Sequence, residues 1–244
     1  MNISQNKDSH LNEDFVNIQK ILWHEIGHLI IDIKKTDTIE NLHLSKINIS
    51  FSHDKYFNWS GFVQVLPEFS KDDIVSQTEI FITYLISIVS GCAFETIFKK
   101  TILKDEGFNF NVCFCPKETC IGQTDYYKYN EIFSFFLDKY LLRGSKEVCE
   151  LILGKVVSVF IEELCTFGDF YKQIDKVIFE ISQEIHIEFK NTEKEFSFDI
   201  QNECLIEFRE TINELMNKYK FRHFLDDFIA NIANELDEII TPSA

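Results

Sequence analysis

Between Ile21 and Ile30 the chain reads Ile-Leu-Trp-His-Glu-Ile-Gly-His-Leu-Ile, and no other stretch limits the fold so tightly. At helical spacing, Ile21, His24, His28 and Ile31 form one stripe, and Phe15, Ile18, Leu22, Glu25 and Leu29 form the next. A helix apolar around so much of its circumference has to be buried. Burial carries His24, Glu25 and His28 inside with it, and ionisable side chains left unpartnered there would cost several kcal/mol. A metal ion is a partner that serves all three. His24 and His28 are four residues apart, one turn above each other on the same helix face, so both imidazoles can bind one ion. Glu25 can then reach a water on that ion and act as general base. Neutral imidazole suits Zn2+, and a catalytic zinc needs a third protein ligand plus an open position. The motif predicts a zinc hydrolase and calls for an inward-facing carboxylate, His or Cys as third ligand.

The remaining chain predicts a mainly α fold with a small β-hairpin sheet. Twenty-five Phe against three Pro and eight Gly describe a helical body with a bulky core. The motif helix is expected from Asn12 to Lys34. Leu44 to Phe51 alternates apolar and polar residues as a half-buried strand does, Asp54, Asn58, Ser60 and Gly61 punctuate a turn, and Phe62 to Leu66 alternates again. Pro67 closes this hairpin. Ser70 and Asp73 have capping-box spacing ahead of one long helix, Lys71 to Lys99. Lys100 to Gly122 reads as a loop. Thr124 is a candidate N-cap for a helix from Asp125 to Leu142. Helices are expected again to about Cys165, then over Asp169–Phe189, Ile200–Tyr219 and Phe221–Ile239. Thr192 and Glu195 also have capping-box spacing, although Phe196-Ser197-Phe198 reads equally as a short strand.

A formal charge of −16 argues against a nucleic-acid partner or an anionic membrane surface, both of which need basic patches. The polar start, Met1 to Asp14, lacks the order of a signal peptide. Ile80 to Phe98 approaches spanning length but contains Thr83, Ser87, Ser90, Gly91 and Glu95, so a buried core helix is expected rather than a membrane span. Seven Cys without a signal sequence predict reduced thiols and a cytoplasmic protein. Cys113, Cys115 and Cys120 lack a nearby fourth ligand and a zinc-knuckle spacing, and read as loop thiols.

Two acidic residues stand out as third-ligand candidates, Glu95 in Ser-Gly-Cys-Ala-Phe-Glu and Asp125 in Gly-Gln-Thr-Asp. Taken in order with the His-Glu-x-Gly-His helix and with Gly61-Phe62-Val63-Gln64-Val65-Leu66-Pro67, these stretches resemble the peptidase domain of the FtsH-type ATP-dependent zinc metalloproteases. The resemblance runs from about His24 to Tyr140. It implies zinc bound by His24, His28 and Asp125, Glu25 as catalytic base, and Glu95 orienting a histidine ligand from behind. Cys92 stands where the family has Arg, and no phosphate-binding Gly-x-x-x-x-Gly-Lys-Ser/Thr loop occurs, so no ATPase is expected. The resemblance divides the chain into a metallopeptidase-like core, 1–144, and a helical region, 145–244, packed on it. The implied activity is ATP-independent endoproteolysis of flexible or unfolded polypeptides. The alternative is a catalytically silent zinc-binding module acting in protein–protein interaction, with a homo-oligomer or a partner protein open to either. Tyr126, Tyr127 and His53 are candidate oxyanion donors.

Overall fold

The computed structural model describes residues 4–39, 41–52, 59–117, 122–140, 146–192 and 195–240. Its first element, α1 (Ser4–Thr38), is longer at both ends than its apolar stripe predicts. No Pro or Gly interrupts the polar residues ahead of the stripe. The exit comes at Asn41, whose φ of 70° lies in the left-handed region that Asn tolerates. From Ile18 to Lys35 nearly every side chain of α1 is buried.

Strand β1 (His43–Phe51) follows and pairs antiparallel with β2 (Trp59–Leu66). The turn expected around Asp54 and Asn58 lies outside the described residues. A third strand, β3 (Phe196–Gln201), joins the other side of β1, giving the order β2-β1-β3. The run Phe196-Ser197-Phe198 is therefore a strand, not part of a capped helix. Pairing explains the outcome: Ile47, Ile49 and Phe51 of β1 are buried, and Asn48 donates to Ser197 Oγ at 2.8 Å and Asp199 Oδ1 at 2.7 Å. Trp59, Phe51, Phe189 and Phe196 close one end of the sheet edge to face.

The long helix expected after Pro67 is broken. α2 (Lys71–Ile74) opens on the Ser70–Asp73 capping box and stops after one turn, because Ser76 folds back on the Asp73 carbonyl and Gln77 is extended. α3 (Thr78–Ile97) then runs through the middle of the molecule and ends in a π-helical turn, Phe98–Ile102. It is the one helix among the described residues long and apolar enough to cross a membrane, and 89% of that stretch is buried inside the protein. Its neighbours are α1, α5 (Gln123–Tyr140) and α9 (Phe221–Ile240). Phe81 stacks on Phe136 of α5 at 3.9 Å between ring centroids. The stretch expected to be a loop contains a short helix, α4 (Phe110–Cys113), capped by the Asn109 side chain.

The C-terminal residues form α6 (Lys146–Leu164), α7 (Gly168–Phe189), β3, α8 (Asn202–Lys218) and α9. Each of α7, α8 and α9 buries one stripe, such as Ile174, Ile178 and Ile185 of α7. α7 closes over α1, where Trp23 is packed among Phe94, Phe98 and Tyr171. The molecule is thus mainly helical with a small three-stranded antiparallel sheet. The C-terminal residues complete both that sheet and the core behind the motif helix.

Candidate metal centre

The site forms where α1 and α3 touch backbone to backbone. A Cβ placed on Gly27 would sit 2.4 Å from the Ser90 carbonyl oxygen, so only glycine lets α3 pass this close. Gly91 faces the two imidazoles in the same way: a Cβ there would lie 2.4 Å from His28 Nε2 and 2.6 Å from His24 Nε2. The imidazoles occupy the space that a side chain on α3 would fill. α5 supplies the third group. Asp125 begins its buried stripe, and the helix starts at Gln123, which places the expected N-cap Thr124 inside its first turn.

His24 Nε2, His28 Nε2 and Asp125 Oδ2 form a triangle with edges of 3.1, 3.2 and 3.3 Å. The opposite side of each ring fixes its proton. His28 Nδ1 donates to the Ser87 carbonyl at 2.7 Å, and His24 Nδ1 faces Glu95 Oε2 at 3.3 Å. A carbonyl and a carboxylate only accept, so the neutral rings carry their protons on Nδ1 and turn both Nε2 lone pairs on the Asp125 carboxylate. Three lone pairs this close repel each other unless a cation lies between them. For Zn–N and Zn–O bonds of about 2.0–2.1 Å, the edge of a tetrahedron is about 3.3 Å, matching the triangle found here.

Protons can take the cation's place, and the electrostatics show it. Burial opposes charging of His24, but its hydrogen bonds to Asp125, Cys113 and Glu95 outweigh burial and hold its pKa well above the usual value. For His28 burial again opposes, and the Asp125 charge and hydrogen bond win. Asp125, despite its own burial, is held far below the ordinary carboxylate range by the two histidines.

Glu25 lies beside this triangle, buried, with Oε2 lacking any protein hydrogen-bond partner. Burial raises its pKa, against the pull of His28 and His24. Glu95 stands behind His24 with Oε2 3.3 Å from Nδ1, at 1% exposure. Burial would raise its pKa, but the His24 bond and charge, Lys20 with Nζ at 3.8 Å and the Cys113 thiol together lower it. Lys20, Ser87, Cys92 and Cys113 were not singled out as parts of the centre from sequence. Lys20 lies one helical turn before His24 on the same face and was the legible one; the others meet the motif only through the crossing of α3 and the return of α4.

The described loop cysteines differ in their surroundings. Cys113 turns inward, Cys115 is disulfide-bonded, contrary to the expectation of reduced thiols, and Cys120 lies outside the described residues. Among the oxyanion candidates, His53 is outside the described residues. Tyr127 donates to the Pro116 carbonyl at 3.3 Å, and neither Tyr126 nor Tyr127 lines the cleft in front of the site. Lys128 does.

That cleft has a volume of about 1090 Å³, with His24, Glu25, His28 and Asp125 in its lining. One wall is β2 from Trp59 to Val65, an edge strand whose outer rim has no partner strand among the described residues. Farther along α1 the lining continues through Asp32 and Lys35.

No family model, no curated protein and no solved structure matches this chain.

Proposed function

We propose that this chain is a zinc-dependent metallopeptidase that cleaves extended, flexible polypeptide without an ATPase of its own. One observation carries the reading. His24 Nε2, His28 Nε2 and Asp125 Oδ2 face one another at 3.1–3.3 Å, each ring's proton is engaged on the far side, and the Glu25 carboxylate, its Oε2 without a protein partner, stands next to them. The two-His, one-carboxylate set also serves non-haem iron. Glu25 favours hydrolysis, because a buried carboxylate oxygen without a protein partner beside the metal position is a proton acceptor that hydrolysis needs.

Zinc bound by the three ligands would supply a Lewis acid that acidifies water and polarises a carbonyl. The chain's own residues do the rest. Glu25 Oε2 accepts a proton from the attacking water and returns it to the leaving amine; its raised pKa suits a group that must both take and give a proton. Ser87 and Glu95 hold the two imidazoles in the tautomer that leaves Nε2 free. The open edge of β2 offers backbone N–H and C=O groups to an extended substrate, which an unfolded or flexible segment can match and a folded domain cannot.

Cleavage of casein by wild type and by Glu25→Gln, at verified equal zinc content, tests the proposal. Activity lower by about 10²–10⁴-fold in the variant supports Glu25 as base. Equal cleavage by both would overturn it. Zinc bound in both with no cleavage by either would favour the silent binding module.

A further inference from the structure

Behind His24 lies a second set of metal-type donors, two of which, the Cys92 and Cys113 thiols, the proposed hydrolysis does not use. Cys92 Sγ on α3, Cys113 Sγ at the end of α4 and a ring nitrogen of His24 lie within 4.8 Å of one another. Glu95 Oε2 joins them, 3.1 Å from Cys113 Sγ and 3.3 Å from His24 Nδ1, which marks Nδ1 as the side of the ring that faces this group. Burial of the four is almost complete, with exposures of 0% for Cys92, 2% for Cys113, 1% for Glu95 and 5% for His24. Two thiols, an imidazole and a carboxylate on three different helices, closed off from water, are four zinc-type donors, enough to fill a tetrahedral site without an open position.

We infer that Cys92, Cys113, Glu95 and His24 Nδ1 bind a second, structural zinc ion, with His24 bridging it to the first. The inference rests on the metallopeptidase reading only for the ion on Nε2. Binding displaces the two thiol protons and the Nδ1 proton of His24 to solvent, three per ion, and the ion would take over from the Nδ1–H to Glu95 hydrogen bond in orienting the His24 ring. Two divalent ions and Lys20 would supply five positive charges against six negative ones on Cys92, Cys113, Glu95, Asp125, Glu25 and the His24 imidazolate, which leaves the buried cluster within one charge of neutral. Thiolate donors direct the site to zinc or a softer ion rather than to magnesium or calcium. A dithiol that cycles to a disulfide fits less well, because redox-active cysteines are partly exposed and these two are sealed. The ion would tie α1, α3 and α4 together next to the segment that delivers Asp125.

The experiment counts metal in the full chain, purified reduced and loaded with Zn2+, and then records the absorption of the Co2+-substituted protein. Expected are two ions in wild type, one in Cys113→Ser and one in His28→Ala. Sulfur-to-cobalt charge-transfer absorption should appear in wild type and His28→Ala and vanish in Cys113→Ser. The wild-type cobalt spectrum reads the site even if a variant fails to fold. One ion per chain, lost in His28→Ala, with no sulfur band in wild type, would overturn the second site and leave the metallopeptidase reading standing. A single ion that survives His28→Ala with its sulfur band would keep this site and overturn the other. A Cys92–Cys113 disulfide in reduced, metal-loaded protein would overturn it as well.

Discussion

Replacing Gly91 by Ala tests the geometry of the centre without touching a ligand. The new methyl would stand 2.4 Å from His28 Nε2 and 2.6 Å from His24 Nε2, and an ordinary contact begins at 3.4 Å. Restoring that contact moves one ring by about 1 Å and the other by about 0.8 Å, well beyond the roughly 0.2 Å tolerance of a zinc–ligand bond. Altering a group that merely supports a ligand costs about 10–100-fold in metal affinity, so displacing two ligands at once should cost at least about 100-fold. Stability moves by competing terms. Alanine gains about 1 kcal/mol over glycine in a helix interior, and overpacking a tight contact costs about 1–3 kcal/mol. The metal-free variant should therefore fall between unchanged and about 2 kcal/mol less stable, still folded. Gly154→Ala on α6 is the control, since a Cβ there meets nothing within 4 Å; it should gain stability and keep its zinc. Competition with a chromophoric chelator gives the affinities and thermal unfolding of chelated protein gives the stabilities. Wild-type zinc affinity in Gly91→Ala would refute the placement of the two imidazoles against α3.

Three further outcomes follow from the same geometry. Gly61→Ala puts a Cβ 2.8 Å from Glu25 Cγ, so casein cleavage should fall while zinc content measured by metal analysis stays at the wild-type level. Glu95→Gln removes the charge behind His24 and should weaken zinc binding about 10–100-fold in the same chelator competition. In the metal-free protein the raised pKa of His24 contributes stability that is complete below an unfolded value of about 6.5 and is lost as pH rises through the folded value, whereas zinc binding gains as those protons leave. The gap between zinc-loaded and chelated melting temperatures should widen from acid toward mildly alkaline pH; a gap that narrows contradicts the sign.

Those parts of the site that depend on local spacing were legible in the sequence, and those that depend on where helices cross were not. His24, Glu25 and His28 are fixed relative to one another by one helix, so a linear pattern places them. Asp125 is a hundred residues away; its helical spacing with Ile132 and Phe136 turns it inward, the ordered resemblance names it as a ligand, and the convergence of its Oδ2 on both Nε2 atoms is what the structure adds. The missed features have physical causes. α2 and α3 read as one helix because propensity does not register a single turn in which Ser76 bonds back to Asp73 and Gln77 extends. β3 was ambiguous because Phe196-Ser197-Phe198 gains its strand character from Asn48 and Ile49 across the sheet, partners about 150 residues earlier in the chain.

The cysteines make the same point in the reverse direction. By spacing, Cys113, Cys115 and Cys120 form a group, and Cys92 is a stray substitution in a helix. Cys115, however, is disulfide-bonded and offers no free thiol beside Cys113. Cys113 turns inward to Glu95, and Cys92, one residue past the Gly91 that admits the imidazoles, meets it from α3. The glycine that makes room for the first metal position therefore also sets the register that brings a thiol to the back of His24. Any variant that shifts α3 along its axis should disturb both donor sets together, whereas Asp125→Ala should empty only the one facing the cleft.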